Sequence, residues 1–206
     1  MKRKLLIIGA SGHGKVVVDI AMRMKKWQYI AFLDDNKNIR NSMGVEVIGT
    51  LSEVSNYIDE YEIFVAIGNN PIRQKIYEIL QKLGASIPIL VHPNAIIGSQ
   101  VKIGCGTVVM AGVVVNSNTQ IGKSCIINTV SSIDHDNCIG DFVHISPGTH
   151  LGGTVKIGKG SWLGIGSVII NNVNITEWCK VGAGSVVIND ITEPGVYVGN
   201  PVRKLN

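Results

Sequence analysis

From Ile97 to Val187 every sixth residue is aliphatic: Ile97, Ile103, Val109, Val115, Ile121, Ile127, Ile133, Ile139, Ile145, Leu151, Ile157, Leu163, Ile169, Ile175, Val181 and Val187. Four positions after each stands a small, β-branched or aliphatic residue (Val101, Thr107, Val113, Thr119, Cys125, Ser131 and onward), with Asn137 the polar exception. Glycine follows many of the series directly, as in Ile97-Gly98, Ile121-Gly122 and Ile157-Gly158. Six is neither the period of an amphipathic helix nor the alternation of an ordinary strand. A fixed short period marks a stacked solenoid, and its hexapeptide form is a parallel β-helix.

One hexad supplies one flat face and one corner, so three hexads close a triangular coil of eighteen residues. The series residue and the residue four later point inward, and the residue two later points out at the corner. Coils stack at about 4.7–4.9 Å, the spacing of neighbouring strands. The run from Ile97 makes about five coils. A β-sandwich is the competing reading, but its strands are separated by turns of irregular length.

Narrow stacked cores need Ile and Val rather than large rings, and hydrophobic residues make up 45% of the 206 residues while aromatics make up only 5%. The net charge of +4 carries no basic block, which argues against a nucleic-acid partner. No apolar run reaches membrane-spanning length. Met1-Lys2-Arg3-Lys4 leads into a strand too short for the apolar core of a secretion signal, so a cytoplasmic protein is expected. Cys105, Cys125, Cys138 and Cys179 lack metal-site spacing, and disulfides are not expected in that compartment.

Residues 1–88 follow a different pattern of strand, glycine loop and helix. Lys4–Ile8 reads as a buried parallel strand, followed by the tight loop Gly9-Ala10-Ser11-Gly12-His13-Gly14. Lys15–Lys25 reads as a helix with Val16, Val17, Ile20, Ala21 and Met24 inward. Tyr29–Leu33 is a strand ending in Asp34-Asp35. Glu46–Ile48, Leu51–Tyr57 and Ile63–Ile67 read as strand, short helix and strand, the last ending in Gly68-Asn69-Asn70. Pro71 then opens a helix through Leu83 at a favoured first-turn position. The alternation predicts a small Rossmann-like α/β domain over 1–88, a β-helix over 89–193 and a C-terminal tail over 194–206.

The glycine loop admits several readings. Its spacing fits G-x4-G-K of a P-loop, but Val16 stands where Ser or Thr would hold magnesium. It departs from the G-x-G-x-x-G of a dinucleotide site. A third reading keeps the shared physics: backbone N–H groups at a helix start face an anion, and the carboxylates after the second strand accept hydrogen bonds from ribose or base. A bare strand-to-helix turn would explain Gly9 and Gly12 but not His13.

His135 lies two residues after Ile133, so it points outward at a corner. An imidazole there suits proton acceptance near neutral pH, with Asp136 beside it. One coil of eighteen residues further on stands Gly153, whose N–H is a candidate oxyanion donor for a thioester carbonyl. His144 falls half a coil away and cannot share His135's site within one chain; if both act, neighbouring chains meet there, most simply in a trimer of prisms. Asp134 and His150 read as structural.

These segments resemble a known family. Gly9-Ala-Ser-Gly-His-Gly, Phe32-Leu-Asp-Asp, Ala66-Ile-Gly-Asn-Asn, Ile127-Asn-Thr and Ile133-Asp-His-Asp are similar to those of the sialic acid O-acetyltransferase (NeuD-type) family of hexapeptide-repeat acyltransferases. The likeness is closest to the nucleotide-amino-sugar N-acetyltransferases of bacterial glycan synthesis, such as that of the bacillosamine pathway. The resemblance implies left-handed winding, a homotrimer, acetyl-CoA as co-substrate and no metal. It implies His135 as general base, assisted by the acidic residue after it; the bacillosamine enzyme carries Glu where this chain has the shorter Asp136. Asn128 and His144 match active-site positions, Gly153 the amide that meets the thioester oxygen, and His13 a histidine near the sugar. Gly9, Ser11, Gly12, Asp34, Asp35, Gly68 and Asn69 fall in the nucleotide-cradling segments, and Arg203 and Lys204 in a tail near CoA. The expected activity is acetyl transfer to the amine of a nucleotide-linked amino sugar. Acetylation of a sugar hydroxyl, and a non-catalytic or metal-binding β-helix using His135, His144 and His150, are the alternatives.

Overall fold

The computed structural model describes residues 4–205; the basic start Met1-Lys2-Arg3 and Asn206 lie outside the described residues. The chain divides into two compact units at Pro93/Asn94, a little beyond the change of pattern at 88/89. The first unit runs β1 (Lys4–Ile8), α1 (Gly12–Met24), β2 (Tyr29–Leu33), β3 (Asn41–Ser42), β4 (Val45–Gly49), a 3₁₀ helix (Leu51–Tyr57), β5 (Tyr61–Val65), α2 (Asn70–Lys82) and β6 (Leu90–Val91). The sheet order is β3-β4-β2-β1-β5, parallel except for the β3–β4 hairpin. Central β1 is covered on both faces, which explains its unbroken apolar run Leu5-Leu6-Ile7-Ile8.

Helix α1 opens at Gly12, earlier than the expected Lys15, with Lys15 N donating to Ser11 O at 3.0 Å. The early start brings Gly14 onto the inner face with Val17, Val18, Ile20 and Ala21, while Val16 is 42% exposed. The expected inward place of Val16 is therefore corrected, while Met24 is half-buried: the buried stripe follows Gly14, Val17, Val18 and Ala21 at i, i+3, i+4 and i+7. Helix α2 is capped by Asn69, whose Oδ1 accepts Ile72 N at 3.1 Å. Its buried stripe is Arg73, Ile76, Tyr77 and Leu80.

The second unit is a left-handed parallel β-helix made of two-residue strands. Ile96–Ile97, Val114–Val115, Ser132–Ile133, His150–Leu151, Val168–Ile169 and Val186–Val187 stack on one face. Lys102–Ile103 through Asn174–Ile175 form the second. Val108–Val109, Ile126–Ile127, His144–Ile145, Trp162–Leu163 and Lys180–Val181 form the third. The tail is not loose: Val196–Gly199 continues the third face beside Lys180–Val181 and turns back as a hairpin through Val202–Lys204.

Along the stack the series residues from Val109 to Val187 are buried, and so are the residues four later from Thr107 onward, Asn137 included. Each fully buried Ile or Val contributes about 1.5–3 kcal/mol of hydrophobic stabilisation. Corners are taken by a residue with positive φ, as at Asn118 (60°), Asp136 (58°), Thr154 (60°) and Asn172 (62°), one above another.

A Cβ on Gly14 would lie 2.0 Å from Gly9 O, whereas one on Gly12 would meet nothing within 4 Å. Gly14→Ala should therefore destabilise the chain by about 1–3 kcal/mol through overpacking, and Gly12→Ala should be near neutral. Denaturant unfolding of the two variants side by side checks this contrast.

Candidate functional site

In the first unit, the carboxyl ends of β1, β2 and β5 open a cleft of about 370 Å³ lined by Gly9, Asp34, Asp35, Leu51, Ile72, Lys75, Ile76 and Ile79 among others. The chain leaves β1 for β2 on one side and returns to β5 on the other, the switch point at which open α/β sheets take ligands. Gly9 has φ 100°, and a Cβ there would lie 2.8 Å from Ile67 Cδ1. Ser11 occupies the N-cap of α1 without a side-chain cap bond, and the first turn holds no acid, so backbone donors remain for an anion.

The acidic pair braces the walls of this cleft. Asp34 Oδ2 accepts Ala10 N at 2.7 Å and Oδ1 accepts Asn36 N at 2.8 Å. Asp35 Oδ1 accepts Leu51 N at 2.9 Å. Gly68 and Asn69 shape the β5–α2 turn: Gly68 gives its carbonyl to Arg73, and Asn69 caps α2. Arg73 was not singled out by its motif, yet it is only 1% exposed. Its Nη1 lies 3.0 Å from Ile67 O and 3.2 Å from Gly68 O, and its Nη2 donates to Asn70 Oδ1 at 2.9 Å. The available signal was its helical spacing with Ile76, Tyr77 and Leu80, which puts a cation on a buried stripe. His13 stands on the first turn of α1. Burial first, and then the Arg73 cation, push it down to about 4, so it is neutral at pH 7. Its Nε2 is buried without a hydrogen-bond partner among the described residues.

In the second unit, His135 projects from the corner after Ser132–Ile133, with its side chain 55% exposed. Its Nδ1 lies 2.8 Å from Asp136 Oδ2, so the shorter Asp reaches the imidazole. Asp136 Oδ1 accepts Asn118 Nδ2, one coil earlier, at 2.5 Å. Asp134, read above as structural, accepts both His135 N at 2.9 Å and Asn116 Nδ2 at 2.8 Å. The Asp136 hydrogen bond, and then the Asp134 charge, raise His135 above the ordinary histidine value. Asn118 first, and then His135, hold Asp136 below the ordinary carboxylate range.

Gly153 lies beneath the imidazole: a Cβ there would sit 2.6 Å from His135 Cε1 and 2.7 Å from Nε2. Only a residue without a side chain lets the ring lie over the 152–153 peptide. Asp134, His135, Gly152, Gly153, Thr154, Asn171 and Asn172 border one open pocket.

Asn128 and His144 come together on a different face. Asn128 Nδ2 is 3.3 Å from His144 Nε2, and the His144 ring stacks on Trp162 at 5.5 Å and 2°. Trp162 Nε1 donates to Ser146 Oγ at 2.8 Å. Beyond it a groove of about 280 Å³ runs between Ser146, Trp162, Ile165, Lys180, Ala183 and Val196. These groove residues were not among the sequence candidates, because outward positions of a hexad carry no periodic constraint. Arg203 and Lys204 lie on the terminal hairpin strand, and Lys204 Nζ is held by Glu193 Oε2 at 2.7 Å. His150 pairs with Ser132 Oγ at 2.8 Å. Among the described residues no three His, Cys, Asp or Glu side chains converge as a metal site, and no helix is long and apolar enough to cross a membrane.

A cleft-bearing α/β unit joined to a β-helix whose outer corner carries a histidine–carboxylate pair defines a class, and the chain belongs to it: the hexapeptide-repeat N-acetyltransferases with a PglD-type N-terminal domain, acyltransferases that use acetyl-CoA. Residues 4–80 match the PglD N-terminal domain. A GDP-perosamine N-acetyltransferase of Escherichia coli O157:H7 is 31% identical over 173 residues, covering 81% of this chain and 78% of the relative. A UDP-N-acetylbacillosamine N-acetyltransferase of Bacillus subtilis (strain 168) is 34% identical over 112 residues, covering 53% of this chain and 52% of the relative. The acetyltransferase domain of PglB from Neisseria gonorrhoeae FA1090, solved in complex with acetyl coenzyme A, superposes with a TM-score of 0.96 at 39% identity over 100% of both chains.

Because Asp136 is the first cause of the raised His135, Asp136→Asn should lower the His135 titration midpoint toward the ordinary value near 6.5. NMR titration of the ring checks the direction. Gly153→Ala should displace the ring, and a crystal structure of that variant would show the imidazole rotated off the corner.

Proposed function

We propose that this chain transfers the acetyl group of acetyl-CoA to the amine of a nucleotide-linked amino sugar. The observation that carries the reading is the His135–Asp136 pair lying over the Gly153 corner. The first unit binds the nucleotide: the diphosphate meets the free N–H groups at the start of α1, and the braced Asp34–Asp35 segment borders the nucleoside cleft. Gly9, Gly12 and Gly68 keep this approach open, Ser11 and Asn69 flank it, and neutral His13 stands behind it on the first turn of α1.

In the second unit the chemistry follows from which imidazole nitrogen is committed. Nδ1 faces the Asp136 carboxylate and carries the proton, so Nε2 is the base. Nε2 takes a proton from the sugar amine as nitrogen attacks the thioester carbon. The carbonyl oxygen gains negative charge and is met by Gly153 N–H. When the C–O double bond re-forms, the C–S bond breaks and its electron pair leaves with sulfur. The CoA thiolate is then protonated from His135, which restores the base. No covalent enzyme intermediate is needed, and binding supplies the orientation.

The remaining assignments extend this reading. The groove beside Trp162 has an apolar floor and the Lys180 cation, which suit a pantetheine arm and a phosphate, and Arg203 is exposed nearby on the hairpin. Val130 (59% exposed) and Ile165 (61% exposed) both stand at the corner that follows the third face. A homotrimer packed on this corner would cover them and bring Asn128 and His144 of one protomer to the His135 corner of the next. The nucleotide base is open, since one relative is named for a GDP sugar and another for a UDP sugar.

His135→Ala should lower kcat by roughly 10²–10⁴ and leave the calorimetric Kd for CoA nearly unchanged; turnover close to that of the unaltered enzyme would contradict the base assignment. Melting curves with GDP, UDP, dTDP and CMP should show one of them raising Tm, because a ligand of the native state alone stabilises it. Absence of any shift at millimolar nucleotide would remove the nucleotide-site reading.

A further inference from the structure

Asn137 is the one member of the inward series that is neither small, β-branched nor aliphatic, and it is only 2% exposed. The structure shows where its amide goes. Nδ2 lies 2.7 Å from Asp134 O, 3.2 Å from His135 O and 3.0 Å from Gly152 O, and Oδ1 accepts Val155 N at 3.1 Å. The side chain therefore joins the corner carrying His135 to the corner carrying Gly153.

The contact with Gly152 O has a specific consequence. Gly152 C=O and Gly153 N–H belong to one planar trans peptide, so they point in opposite directions. Drawing the carbonyl inward onto Asn137 turns the N–H outward, toward the face that His135 covers. Among the described residues that N–H donates to no acceptor within the chain. A hydrogen bond to the carbonyl also polarises the peptide and strengthens its N–H as a donor. Other inward hydroxyls make a related tie, as Thr107 does to Gly122 O (2.8 Å) and Thr149 to Gly164 O (2.9 Å). On the edge in question, however, the inward column reads Val101, Thr119, Asn137, Val155, Val173. Only Thr119 and Asn137 can donate there, and their targets are Asp134 O (2.8 Å from Thr119) and Gly152 O. The polar side chains of this column stand under the two corners at which the chemistry is placed and nowhere else along it.

We infer that Asn137 is a positioning residue that orients the Gly153 amide as oxyanion donor and fixes its separation from His135. This rests on the reading of Gly153 N–H as the group that meets the thioester oxygen. Asn137 touches no substrate and acts through the two corners.

The test uses three variants at this position. Asn137→Val matches its column neighbours and loses every tie. Asn137→Thr restores the tie to Gly152, by analogy with Thr149. Asn137→Cys, a residue the fold already accepts inward at Cys125 and Cys179, offers a weak donor and covers the case in which the valine variant does not fold. With carbon-13-labelled acetyl-CoA bound and no acceptor present, the infrared carbonyl band of the unaltered enzyme should lie below that of free acetyl-CoA. The shift should be lost in Val, partial in Cys and retained in Thr. Along the same series kcat should fall by roughly 10–100-fold for Val, less than the loss expected for outright removal of a donor, and recover in Thr, with KM for acetyl-CoA within about twofold throughout. A band equally shifted in all variants, with kcat unchanged, would overturn the inference while leaving the Gly153 reading intact. An unshifted band in the unaltered enzyme would overturn the Gly153 reading, and the inference with it.

Discussion

The stacking register of the β-helix is the constraint on which everything else depends. Each strand residue lies beside the residue eighteen positions on, as Ser132 beside His150 and Ile133 beside Leu151. The corners are tied as well: Thr154 N donates to His135 O at 2.9 Å and Asn172 N to Gly153 O at 3.0 Å. These bonds convert a separation of eighteen in sequence into about 4.8 Å in space. The register therefore sets which groups meet: Asn116 with Asp134, Asn118 with Asp136, and His135 with Gly153. Adding or removing one residue in a single coil would carry inward aliphatics outward and break all of these pairs together.

Two histidines show how environment divides roles within one chain. His135 stands in solvent, where burial is slight, and a hydrogen-bonded carboxylate raises it. His13 is enclosed near a buried guanidinium and is lowered to about 4. The first holds its proton more tightly than an ordinary histidine. The second stays uncharged at a helix start whose N–H donors favour an anion, so it does not add a cation that would have to be desolvated. The same logic explains the acidic residues: Asp134 and Asp136 are held ionised by asparagines from the preceding coil and can orient the imidazole without competing for its proton.

Much of the β-helix was legible because its period leaves little freedom. Inward burial of the series from Val109 on, the outward place of His135 and the position of Gly153 one coil on all follow from counting in sixes; at the open end of the stack Ile97 is exposed and Ile103 half-buried. The same counting by eighteen reaches Asn118 and Asp136. Other features depend on contacts that no period encodes. Arg73 is explained by three acceptors, Ile67 O, Gly68 O and Asn70 Oδ1, that exist only once the β5–α2 turn is folded. The start of α1 at Gly12 brings Gly14 so close to Gly9 O that no Cβ would fit between them, a contact that no period encodes. Asp34 and Asp35 read as ligand acceptors, yet their oxygens also bind backbone N–H groups of neighbouring loops. Asn137 was visible as an exception to the pattern, but its meaning required the peptide planes above and below it.

The most direct measurement is a crystal structure of the enzyme with CoA and its acceptor sugar nucleotide bound together. The CoA sulfur should lie at the Gly153 corner, with the acceptor nitrogen within hydrogen-bond reach of His135 Nε2. A pantetheine arm ending on another face of the prism, or an imidazole turned away from the acceptor, would contradict it.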